Sequence, residues 1–89
     1  MPRYFFTIGR GKTVIPDPEG DAFRSDAEAI RHASVVAREM IAGRHFYRGQ
    51  HLERWSFEIA DAAGRHVATV PFAEAPKPNP ATAQNKSGH

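Results

Sequence analysis

Five histidines are the residues with the widest chemical range in this chain. Zinc-binding helices and fingers hold their ligands at fixed short separations. His32, His45, His51, His66 and His89 share no such spacing. There is no cysteine to complete a ligand set, so neither a metal site nor a cofactor is expected. The serines are Ser25, Ser34, Ser56 and Ser87. None stands in the strand–elbow–helix setting that activates a nucleophile. Asp17 and Glu19 could pair as carboxylates, but they fall in an open turn, where burial would not shift a pKa. Gly9-Arg10-Gly11-Lys12 is too short for a phosphate loop and leads into strand-forming residues rather than a helix. Arg44-His45-Phe46-Tyr47-Arg48 is the sharpest remaining pattern. Arg44, Arg48 and Arg54 could meet phosphates while Phe46 or Tyr47 stacks on bases. Arg3 and Phe5 could extend that surface.

One helix, read from Ser25 to Gly43, separates the two strand-rich halves that carry most of these groups. Ser25 is suited to cap it, since a serine hydroxyl accepts from a free first-turn N–H. Glu28, three residues on, completes a capping box. At 100° per residue, Ala29, Ile30, Ala33, Val36, Ala37, Met40 and Ile41 share one face. Small residues at its centre would let a sheet approach closely. Gly43 supplies a stop through the left-handed conformation. Val35 lies alone among charges on the opposite side.

Two hairpins flank this helix. Tyr4, Phe6 and Ile8 alternate with Arg3, Phe5 and Thr7, a strand pattern. Gly9 to Lys12 is turn-forming, and Thr13-Val14-Ile15 makes the return. Pro16 ends it, because proline brings no N–H to a ladder. Asp17-Pro18-Glu19-Gly20 suits a type I turn, and Phe23 plugs the core beneath the first helical turn. Arg44 to Arg54 has neither strand nor helix period. Trp55, Phe57 and Ile59 then alternate with polar or small residues, and Asp61-Ala62-Ala63-Gly64 turns the chain into a strand over His66 to Phe72. Two registers are open there. A regular one pairs Ile59 with Val67 and turns Val70 outward; a bulge near Ala68 turns Val70 or Phe72 inward.

With 12 basic and 10 acidic residues the formal charge is only +2, weak for a nucleic-acid binder. The charges are segregated: Arg3, Arg10 and Lys12 come early, an acidic block runs from Asp17 to Glu28, and arginines follow the helix. No apolar run spans a membrane and no secretory signal opens the chain, so a cytoplasmic protein is expected. The Pro- and Ala-rich stretch after Phe72 is expected to remain a disordered tail, residues 73–89.

The opening Met1-Pro2-Arg3-Tyr4-Phe5-Phe6, the Asp17-Pro18-Glu19-Gly20 turn before a capped helix, the run Phe57 to Arg65 (FEIADAAGR) and Val70-Pro71-Phe72 together resemble a family of short bacterial proteins classed as a domain of unknown function. The resemblance covers residues 1–72 and implies no activity, cofactor or catalytic residue.

The expectation is therefore a single α+β domain over residues 1–72, ββαββ, with a four-stranded, mainly antiparallel sheet and one helix on one face. A chain of this size buries only about 60% of its unfolded surface, and one helix leaves a sheet face uncovered. A non-enzymatic interaction module that self-associates as a dimer follows, with Phe5, Val35 and Val70 as the contact residues and no small-molecule ligand. The alternative is a nucleic-acid-binding module using Arg44, Phe46, Tyr47, Arg48 and Arg54.

Overall fold

The computed structural model of the chain describes residues 1–43 and 54–79. In chain order these form β1 (Arg3–Arg10), β2 (Thr13–Ile15), β3 (Asp21–Ala22), α1 (Asp26–Ala42), β4 (Ser56–Asp61), β5 (His66–Pro71) and β6 (Lys77–Pro78). Every pairing is antiparallel. The sheet runs β2-β1-β4-β5-β6, with β3 beside β1. The α+β class, the ββαββ core and the helix-on-sheet arrangement are those the sequence implies. Two strands of two residues each, β3 and β6, extend the sheet beyond the four expected.

The helix forms as its signals require. The Ser25 hydroxyl accepts from Glu28 N at 3.1 Å, and the Glu28 carboxylate turns back to accept from Arg24 N at 2.7 Å. Glu28 thus reaches one residue before the cap, rather than the cap's own N–H. Ala29, Ala33 and Ala37, spaced by four, are fully buried, and Ile30, Val36, Met40 and Ile41 flank them against the core. That alanine stripe lets α1 lie closely over β5 and β4. At the far end Gly43 N donates to Glu39 O at 2.9 Å. Its φ is −96°, so the helix stops without the left-handed residue expected there.

Register decides which side chains reach the helix. Across β1 and β4, Tyr4 faces Asp61, Phe6 faces Ile59 and Ile8 faces Phe57; directly opposed residues share a face. Between β4 and β5, Phe57 faces Val70 and Ile59 faces Ala68, and the register then slips so that Ala60 faces His66. This is a β-bulge, and it breaks the strict alternation of β5. Val67 and Ala68, neighbours in sequence, are both fully buried. Val70 also joins the core, with Phe72 behind it. The outward contact expected of Val70 is thereby corrected: the extra residue in β5 turns it towards the helix.

The segment after Phe72 is also corrected in part. Residues 73–79 are not a free tail. Lys77 pairs with Thr69 and Pro78 with Ala68, and Asn79 N donates to Val67 O at 2.9 Å. Pro78 is tolerated because β6 is an edge strand. The rest of the expected tail lies outside the described residues.

Candidate interaction surfaces

β2 and β3 pair with the same edge of β1 but at opposite ends: Ile8 to Arg10 meet β2, and Arg3 and Tyr4 meet β3. Between them the N–H of Phe6 faces no strand. Asp17 fills that gap, its Oδ2 accepting from Phe6 N at 3.0 Å and its Oδ1 from Gly20 N at 3.1 Å. One carboxylate closes the turn and stands in for a missing strand. Gly20 has φ +68°, and a Cβ there would lie 2.6 Å from Tyr4 O. The sequence marks both as turn residues, and no spacing signal marks their contact with β1.

A second polar cluster ties the start of α1 to the sheet. The Tyr4 hydroxyl donates to Asp26 Oδ1 at 2.7 Å. Arg65 lies 3.7 Å from Asp26 Oδ2 and donates through Nε to Asp61 Oδ2 at 3.0 Å. Asp61 Oδ1 accepts from the backbone of Ala63 and Arg65. Burial, and then the bond to Asp26, push the Tyr4 phenol up to about 12. The backbone N–H of Arg65 is the first cause holding Asp61 below the usual carboxylate range. Each group is committed to a neighbour, so the cluster clamps the β4–β5 turn to the helix.

On the sheet face away from α1, Glu58 Oε1 accepts from Thr69 Oγ1 at 2.7 Å and lies 2.9 Å from His66 Nε2. Asn79 Nδ2 lies 2.8 Å from His66 Nδ1. If the amide donates there, Nε2 carries the imidazole proton and donates to Glu58. A nucleophile–base relay would put Thr69 and Glu58 on different ring nitrogens. Here both gather on Nε2, with Thr69 Oγ1 at 3.3 Å. The group is a cross-strand lattice that binds β6 to the sheet. Sequence reasoning missed it because the bulge, not simple alternation, puts Thr69 opposite Glu58.

The expected self-association residues part company. Val35 is 40% exposed on the outer side of α1, and Val70 is 1% exposed. Phe5 is half-buried beside Gly20. Two apolar residues not expected as contacts stand out instead: Val14 and Ile15 of β2 are 60% and 49% exposed. Of the nucleic-acid candidates, Arg44, Phe46, Tyr47 and Arg48 lie outside the described residues, and Arg54 is exposed. Gly11-Lys12 forms the two-residue β1–β2 connection, with Gly11 at φ +57°, so no helix N-terminus follows to cradle a phosphate. Among the described residues no three His, Asp or Glu side chains converge as a metal site requires. Among the same residues no helix is long and apolar enough to cross a membrane.

The motifs that occur together in this chain are thus those that build it: the first strand, the turn seated on it, and the clamped β4–β5 turn. No curated protein and no solved structure matches the chain. A family model does match, over residues 3–73. The chain belongs to the family described as a domain of unknown function, DUF6894.

Proposed function

We propose that the protein is a non-enzymatic interaction module that associates with a second copy of itself through the edge strand β2. The observation that carries this is the exposure of Val14 and Ile15 on β2, the outermost strand on that side of the sheet among the described residues. Phe6 N points towards that edge, so Ile8 and Arg10 direct their backbone groups at Ile15 and Thr13. The intervening Val14 then turns its own N–H and C=O outward, as antiparallel ladders alternate. The opposite edge differs: β6 carries Lys77 and Pro78, residues that blunt strand addition.

Two copies of β2 fit each other. Antiparallel pairing centred on Val14 is symmetric by construction. It sets Lys12 of each copy opposite Pro16 of the other, at the start of the acidic Asp17–Glu19 turn. Pro16 limits the shared ladder to a few residues, so apolar contact between Val14 and Ile15 side chains must contribute as well. Sedimentation equilibrium over a concentration series tests the proposal. The native chain should rise towards the dimer mass, and Val14→Lys should stay at the monomer mass. A native chain that is monomeric throughout, or a lysine variant that associates equally well, overturns it.

A further inference from the structure

A cavity of about 260 Å³ opens between α1 and the first strands, lined by Phe6, Phe57, Ala33, Val36, His32, Gly20, Asp17 and Asp21. Its floor is aromatic and aliphatic. Phe6 is held by edge contacts to Phe23, Phe57 and His32, with ring centres 5.7, 6.2 and 5.8 Å apart. Its rim carries two carboxylates, and among the described residues neither has an ion-pair partner. Asp17 is half-buried and locked by its two backbone bonds, so its charge is placed before any ligand arrives. Asp21 is exposed, and among the described residues it accepts only its neighbour's N–H, from Ala22 at 2.9 Å.

We propose that this cavity binds an organic ammonium ion, with its alkyl body against Phe6, Phe57 and Val36 and its charge beside Asp17 and Asp21. The apolar floor gains from covering a hydrocarbon, and aromatic rings attract a cation through their quadrupole. The uncompensated carboxylates disfavour an anion. A bare metal ion is disfavoured as well, because the walls offer few oxygens and both Asp17 oxygens already accept an N–H. A guanidinium would need a carboxylate with two free oxygens for its planar fork, whereas an ammonium acts as a point charge. The cavity is complete within one copy, so the proposal stands or falls independently of β2 pairing.

The experiment is an amide NMR titration of the full chain with n-butylammonium chloride, alongside 1-butanol as the uncharged counterpart. The expected result is saturable shifts at Phe6, Asp17, Ala33 and Val36 from the ammonium and much smaller ones from the alcohol. Asp21→Asn, on an exposed side chain, should weaken the ammonium about two- to fivefold, as an exposed charge pair would. Val36→Phe should fill the cavity and suppress the shifts. A parallel titration with Nα-acetyl-lysine amide separates the sources: tighter binding than butylammonium assigns the site to a polypeptide lysine, and weaker binding to a free amine. Equal shifts from the alcohol, shifts away from the cavity, or no change on Asp21→Asn overturn the proposal. These readouts also decide the matter if Val36→Phe fails to fold.

Discussion

Replacing Gly20 with alanine measures how tightly the Asp17–Gly20 turn is seated on β1. Gly20 sits at φ +68°, where an L-residue pays about 1–2 kcal/mol. Its Cβ would also lie 2.6 Å from Tyr4 O and 2.9 Å from two carbons of the Phe5 ring. The ring can swing aside. The carbonyl cannot, because Tyr4 lies inside β1 and pairs with both Asp21 and Asp61. The turn must therefore lift, and lifting it strains the Asp17 bonds to Phe6 N and Gly20 N. Weakening these charged hydrogen bonds adds about 2 kcal/mol, for an expected loss of about 3–4 kcal/mol. Gly64→Ala is the matched control. Gly64 has φ +87° but nothing within 4 Å of the added Cβ, so only the backbone cost of about 1–2 kcal/mol applies. In a domain of this size each kcal/mol moves Tm by about 4–8 °C. Thermal unfolding followed by circular dichroism should thus place Gly20→Ala about 10 °C below Gly64→Ala. Equal melting temperatures for the two variants would refute the argument, because the close approach to Tyr4 O would then cost nothing.

Three further outcomes follow from the same structure. Tyr4→Phe removes the bond to Asp26 and should cost about 1–2 kcal/mol in urea unfolding at neutral pH. It should also remove a pH slope: the folded phenol titrates near 12 and the unfolded one near 10, so native stability is intact below about pH 10 and declines as pH rises through 12. An unchanged alkaline slope in Tyr4→Phe would show that another group causes it. Asp17→Ala leaves Phe6 N and Gly20 N without their acceptor and should cost about 2–3 kcal/mol, with faster amide exchange at Phe6; retained protection there would contradict the bridging role. Ala33→Leu forces a larger side chain between α1 and the sheet and should lower stability by about 1–3 kcal/mol, whereas Ala27→Leu on the exposed first turn should be near neutral in the same denaturation series.

The residue pattern by itself determined the elements and the helix's buried face. Ser25 and Glu28 bound the start of α1, the four-residue spacing of Ala29, Ala33 and Ala37 set its inward stripe, and alternation marked β1, β4 and β5. These are local rules, acting between residues a few positions apart, so they can be read along the chain. What the tertiary structure alone decided involves pairs far apart in sequence. A bulge opposite Ile59 and Ala60 settled the register of β5 and sent Val70 inward, because packing under α1 rewards two adjacent buried residues, Val67 and Ala68, over regular alternation. Lys77 and Pro78 became a strand only because the edge of β5 lay open to them. Asp17 acquired its second partner, and the cavity beside it, because β2 and β3 leave a gap on β1 that neither strand's own residues announce. The exposure of Val14 and Ile15 is decided the same way: their composition is that of an interior strand, and only the strand order, with β2 outermost, leaves them facing water.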